Sequence, residues 1–294
     1  NVSRSALQND GFVKKISDYI TKKVADKLTG MCKTDRESYE KYWDDISPFI
    51  KFGFIRDQKF ADKIKDYILF KNMEHKYVTL SDLVPAPAND DDVTTLYYIT
   101  DEIQQSQYIN MFKKEGLDAV ILSHNIDSPF ITQMEQKNEH IKFQRIDADL
   151  TDHFKEDVSE EEKEAFKEKT DSLVEIFRKA LGNDKLEVKV EKMKDENVAS
   201  MITLSEESRR MQEMMKMYGM SGMDPSMFGT NATLILNANH PLVEYVVAHK
   251  DGENTEMFCH QLYDLAMLAH KPLSPEEMTE FVKRSNEIMM KLAK

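Results

Sequence analysis

The spacing of apolar residues changes twice along the chain. In the first quarter they recur at steps of three and four, the period of an amphipathic helix. The first helix is predicted to end at Gly30, the second to begin at Thr34 with Glu37 closing a capping box, and the third to begin near Asp57. One face of the first helix carries Val13, Ile16, Ile20, Val24 and Leu28. These helices predict a small three-helix module.

Short apolar runs then alternate with helical segments. Strands are predicted over residues 94–100, 117–122 and 141–146, with helices over 103–114 and 127–136 between them. Because strands joined by a helix usually run parallel, this order predicts a small, mostly parallel sheet.

The rest of the chain mixes both patterns again. The acidic stretch 149–171 is interpreted as a solvated linker that leads into a helix. That helix is predicted to start at Ser159, with Glu162 closing its capping box, and to stop at Gly182. Three strands are predicted after it, the first two as neighbours, over 186–190, 199–204 and 232–236.

The C-terminal end predicts an αα-hairpin. Ser274 as N-cap, Pro275 at the first helical position and Glu277 in a capping box mark the start of the last helix. Two short helices cannot close a core, so we predict that the hairpin pairs with a second copy of the chain; an intramolecular cap is the alternative. The residues predicted at this dimer interface are Leu262, Leu265, Phe281, Ile288, Met289 and Leu292.

Together these elements predict an α+β or α/β fold in two domains. The first, residues 1–155, combines the three-helix module (1–75) with a small α/β/α sandwich (76–155). The second, residues 156–294, is a mixed α/β domain that ends in the helical dimerisation hairpin.

Methionine is concentrated between residues 205 and 228. Seven of the 18 methionines of the chain fall there. Methionine is flexible and polarizable, so an exposed methionine-rich surface can adapt to partners of different shapes. A core stripe followed by an irregular loop explains the same residues, and the sequence leaves both interpretations open.

Composition narrows the function. With 53 acidic and 40 basic residues the net charge is −13, which disfavours nucleic acid or an anionic membrane as a partner. No apolar run reaches the ~20 residues of a membrane span. Cys32 and Cys259 are interpreted as small buried hydrophobes in a reducing compartment. The chain starts at Asn1 rather than Met, so we expect a fragment of a longer protein.

Few residues indicate an enzyme. The first strand of the predicted sheet is followed by Asp101 and Glu102, not by a glycine-rich loop, so a phosphate would meet carboxylates there. His124 and Asp127 have the residue types of an acid–base pair, but a helix cap and its neighbour is the favoured interpretation.

No metal site is predicted. One acidic group has a spacing that superficially suggests metal ligands, but a solvated linker is the better interpretation. Its members are Asp147, Asp149, Asp152 and His153.

Several segments point together to one family. The chain contains, in this order, NVSR with Gln8 four residues after Arg4, then LYYIT, FKKEGLDAVILS, IDSPFITQM and LNANHPLV. This set resembles the 90-kDa heat-shock chaperone family and spans essentially the whole chain. Ser5 stands where that family usually has Glu. The chain ends without the acidic tail of cytosolic eukaryotic members, so it resembles the bacterial form.

The resemblance implies a dimeric, ATP-driven chaperone of the cytoplasm. This chain would supply the later middle domain and the C-terminal dimerisation domain. The resemblance further implies that Arg4 reaches the γ-phosphate of ATP and that Gln8 assists, while ATP and Mg²⁺ are held by an N-terminal domain outside the chain. We therefore expect no cofactor and no ATP hydrolysis in this chain by itself.

The resemblance also implies partners. Unfolded client proteins are expected to contact Met214, Met217, Tyr218 and Met220, and an Hsp70-type chaperone system is a further expected partner. Two other functions stay open. One is a homodimeric scaffold or regulatory domain with no client or nucleotide role, and the other is a small α/β enzyme that uses His124 or Cys259.

Overall fold

The computed structural model describes the chain over residues 10–85, 87, 89, 92–148, 152–217 and 232–293, with the backbone alone at 152 and over 212–217. These residues form two compact units. One comprises the residues up to Thr100 together with Asp118–Gln144, and the other comprises Asp101–Leu117 and the residues from Arg145 onward. Helices and two mixed sheets confirm the α+β fold class. The domain boundary at residue 155 stays a prediction.

The predicted three-helix module is present. It consists of α1 (Gly11–Thr34), α2 (Arg36–Arg56) and α3 (Gln58–Ile64). Two predicted boundaries are wrong. Gly30 does not end α1, because its φ is not positive and the helix continues through it. Asp35, not Thr34, caps α2 by accepting from the Ser38 N–H at 3.3 Å, since the Thr34 hydroxyl donates to the Gly30 carbonyl at 2.9 Å.

A five-stranded sheet follows. The elements are β1 (Leu69–Asn72), β2 (Tyr77–Thr79), α4 (Leu80–Leu83), β3 (Thr94–Ile99), α5 (Ser106–Lys114), β4 (Val120–Ile121), α6 (Asp127–Lys137) and β5 (Ile141–Arg145). The strand order is β2-β1-β4-β3-β5. β3 and β4 run parallel as predicted, but β1 is antiparallel to both of its neighbours, so the sheet is mixed. The hairpin of β1 and β2 was not predicted.

Large side chains fill the core of the first unit. Tyr39 and Trp43 of α2 pack edge to face, and Phe54 packs in the same way on Phe130 of α6. Of the apolar face predicted on α1, only Leu28 is buried.

The second unit contains a three-stranded sheet and most of the remaining helices. They are α7 (Lys163–Leu181), β6 (Glu187–Glu191), β7 (Ser200–Thr203), α8 (Glu206–Met217), β8 (Thr233–Asn237), α9 (Pro241–Ala248), α10 (Thr255–His270) and α11 (Pro275–Leu292). β8 lies in the centre, parallel to β6 and antiparallel to β7. The prediction that β6 and β7 are neighbours is wrong, because β8, buried at all five residues, takes the place between them.

The predicted end of α7 is confirmed and its start is not. Gly182 adopts a left-handed φ of 60° just after the helix, which suits a residue without Cβ. The Ser159 hydroxyl donates to the Glu162 carboxylate at 3.0 Å, so it does not cap the helix, and α7 begins only at Lys163.

Candidate functional site

The predicted capping box fixes the turn of the C-terminal hairpin. The Ser274 hydroxyl accepts from the Glu277 N–H at 3.2 Å, and the Glu277 carboxylate accepts from the Ser274 N–H at 2.7 Å. The backbone hydrogen bond from Ser274 lowers the pKa of Glu277. Both halves of the box are therefore formed, and α11 starts where the sequence predicts.

Polar side chains attach α11 to α10. Arg284 donates to the Gln261 side chain at 3.0 Å and forms an ion pair with Asp264, while the Gln261 amide donates to the Ser285 hydroxyl at 3.1 Å. Among its described residues, α11 has no buried side chain. Its apolar residues consequently add nothing to the core of their own chain.

An exposed apolar stripe runs along α11. This α11 stripe consists of Met278, Val282, Met289 and Leu292, whose exposure ranges from 39% at Met278 to 82% at Leu292. With Ser285 in the gap, the steps alternate between four and three residues, the spacing of a seam between two helices that pack along their length. An exposed stripe of this kind is typical of an interaction site.

The residues predicted at the dimer interface differ in exposure. Phe281 and Ile288 are half-buried, whereas Leu265, Met289 and Leu292 are exposed. Leu262 is only 1% exposed and packs in the core of its own chain. It is therefore not available to a second copy, and its predicted place at the interface is wrong.

The methionine-rich segment starts as helix α8. The Ser208 N–H donates to the Ser205 hydroxyl at 3.2 Å, so Ser205 caps this helix. Met211 is 38% exposed. Met214 and Met217 belong to the backbone of α8, and their side chains, like the whole of Tyr218 and Met220, lie outside what the structure describes.

Arg4 and Gln8 also lie outside the described residues.

The turn after β3 has the position of a nucleotide site at the end of a parallel strand. Its Asp101 carboxylate accepts from the N–H groups of Ile103 and Gln104 at 3.0 and 2.9 Å. These are the donors that a phosphate would need, so this turn does not fit ATP.

The geometry argues against the enzyme alternatives. The His124 N–H donates to the Asp127 carboxylate at 2.9 Å, and the other Asp127 oxygen accepts from Lys51 at 2.5 Å. Asp127 thus accepts from the turn at His124 and pairs with Lys51. The helix cap of the favoured interpretation is not formed, because Asp127 is the first residue of α6, Ile126 takes the N-cap position and no side chain caps the helix there. Burial raises the pKa of the Cys259 thiol to about 12, which keeps it protonated and weakly nucleophilic.

Asp147 departs from the linker interpretation. It is 1% exposed, and Arg145 Nη2 donates to its Oδ2 at 2.6 Å. Burial alone would raise the pKa of Asp147, but His270 and Arg145 outweigh it and lower the pKa. Within the described part of the chain, no three His, Cys, Asp or Glu residues are grouped so as to hold a metal ion.

Comparison with known proteins identifies the family. The family profile described as Hsp90 protein matches residues 1–294. The chain belongs to the Hsp90 family. It is 34% identical to the chaperone protein HtpG of Bacteroides thetaiotaomicron over 98% of the chain and 41% of that protein. The chain is 36% identical to HtpG of Bacteroides fragilis, over 86% of the chain and 38% of that protein. It is 34% identical to HtpG of Porphyromonas gingivalis, over 84% of the chain and 37% of that protein.

The chain thus spans about two fifths of the length of these Hsp90-family relatives. None of the helices described here combines the length and the apolar character that crossing a membrane requires.

Proposed function

We propose that this chain supplies the later middle domain and the C-terminal dimerisation domain of an Hsp90-type molecular chaperone that binds unfolded or partly folded proteins. The match of the Hsp90 family over the whole chain carries the proposal. An Hsp70-type chaperone system is a further proposed partner of the whole protein.

Dimerisation is proposed to use the α11 stripe. Two copies related by a two-fold axis would each cover the other's stripe, with Leu265, Phe281 and Ile288 beside it. The exposure of this stripe in a single chain supports the proposal, because α11 contributes no side chain to the core of its own unit among the described residues.

Client contact is proposed at Met214, Met217, Tyr218 and Met220. The high density of methionine supports this assignment, since flexible side chains tolerate varied client shapes. Pairing through α11 would give each dimer two such surfaces, and two weak contacts with one client then gain avidity.

A light-scattering assay tests client holding. The chain is mixed with a protein that aggregates on heating, and we expect it to delay aggregation. The double variant Met214→Ser/Met217→Ser should delay it less, because the adaptable apolar contacts are lost. The matched control is Lys167→Ser/Glu168→Ser, at two exposed positions of α7.

The dimer mass of each variant is measured alongside. A wild-type chain that gives no delay would favour the homodimeric scaffold without a client role. A methionine variant that fails to fold or to dimerise would show that these side chains are structural.

A further inference from the structure

A cluster of ionisable side chains surrounds a buried carboxylate in the second unit. The Asp147 side chain is 0% exposed and accepts from Arg145 Nη2 at 2.6 Å. His270 Nδ1 lies 3.6 Å from Asp147 Oδ2, and the His270 side chain is 11% exposed. We name Arg145, Asp147, His270 and Glu206 the Asp147 cluster.

One side of the Asp147 cluster holds the first turn of α8. The backbone N–H of Arg145 donates to Glu206 Oε2 at 3.0 Å, and Glu206 is the first residue of α8. The other Glu206 oxygen accepts from Arg209 at 2.6 Å and from Arg210 at 2.8 Å. Arg145, the last residue of β5, therefore positions the start of the methionine-rich helix.

The other side of the cluster holds the end of α10. His270 is the last residue of that helix and directly precedes the turn to α11. A buried carboxylate that loses a hydrogen-bonding or ion-pair partner keeps a charge that nothing neutralises, which is energetically costly. The groups around it therefore move when one partner is displaced. A shift at the end of α10 would reach Glu206 through Asp147 and Arg145.

We propose that the Asp147 cluster couples the C-terminal hairpin to the methionine-rich helix, so that order in one depends on order in the other. The roles of these two elements rest on the proposed function, but the coupling itself is measurable without a client. Such coupling is reciprocal: steadying the hairpin would steady the start of α8, and steadying α8 would steady the hairpin.

Amide hydrogen exchange tests the coupling in both directions. His270→Gln should raise exchange rates in residues 206–211 about fivefold, although His270 is not in α8. Glu206→Gln should raise the rates in the last turn of α10 by a similar factor. Rates in β8 should stay unchanged in both variants. The control is Glu280→Gln, which removes an exposed ion pair with Lys283 on α11.

Two results would overturn the coupling. If each variant changed exchange only in its own helix, the two elements would be independent. If β8 and α7 exchanged faster together with α8 and α10, the cluster would merely stabilise the whole unit. Neither result depends on client holding, so a failed aggregation assay and a failed coupling test are distinguishable.

Discussion

At the scale of single residues, the first unit contains a buried ion pair. Lys51 Nζ lies 2.5 Å from Asp127 Oδ1, and the two side chains are 8% and 6% exposed. The Lys51 ammonium also lies 5.4 Å from the centre of the Phe130 ring. The pair joins α2 to the first residue of α6.

Replacing one partner should be costly. Lys51→Met leaves the Asp127 carboxylate buried without its counter-charge, and we expect a loss of about 3–5 kcal/mol in the free energy of unfolding. Urea denaturation followed by circular dichroism measures this loss. The matched control is Lys76→Met, which removes the exposed Lys76–Glu74 pair and should leave the denaturation midpoint unchanged. Equal denaturation midpoints for the two variants would contradict the view that the buried Lys51–Asp127 pair stabilises the fold.

Residue roles were predictable only where they are local. That His124 and Asp127 share a turn follows from their spacing of three residues, but the Lys51 partner of Asp127 is 76 residues away in sequence. Asp147 misled the prediction in the same way. It adjoins an acidic, polar stretch, and its distant partner His270 gives no signal near it in the sequence.

At the scale of elements, the same limit holds. The α10–α11 turn was predicted because Ser274, Pro275 and Glu277 are neighbours in sequence. The hairpin of β1 and β2 was missed because Tyr67 and Ile68 continue the apolar spacing of α3. Pairing with β2 and β4 makes the segment from Leu69 a strand. The central place of β8 also depends on long-range pairing that no local pattern encodes.

The α11 stripe gives a prediction at this scale. Met289→Glu should weaken the dimer at least about tenfold, because a charge would be buried at the seam of the two copies. Met290→Glu is the matched control, since one residue further along rotates the same new charge by about 100° off the stripe. Sedimentation over a range of concentrations measures both variants, together with a chain truncated after Lys271, which should be monomeric. A wild-type chain that is monomeric throughout, or equal effects of the two variants, would contradict the proposed interface.

At the scale of the whole molecule, the chain needs further residues for its proposed ATP chemistry. From the resemblance to the family we propose that Arg4 stabilises charge on the γ-phosphate of ATP that another domain holds, which makes hydrolysis depend on domain closure. We expect the chain alone to show no Mg²⁺-dependent release of phosphate from ATP. An Arg4→Ala variant serves as the control, and turnover by the chain that this variant abolishes would contradict the expectation.

The polar attachment of α11 has a consequence for damage in the cell. Because this helix adds no buried side chain to its own unit, its removal leaves the apolar core of a single chain complete while it removes the proposed seam between two. A protease cut after Lys271 would therefore release a folded remnant that cannot join an intact copy. Each cut chain would therefore remain a monomer, and the intact chains would still pair with one another.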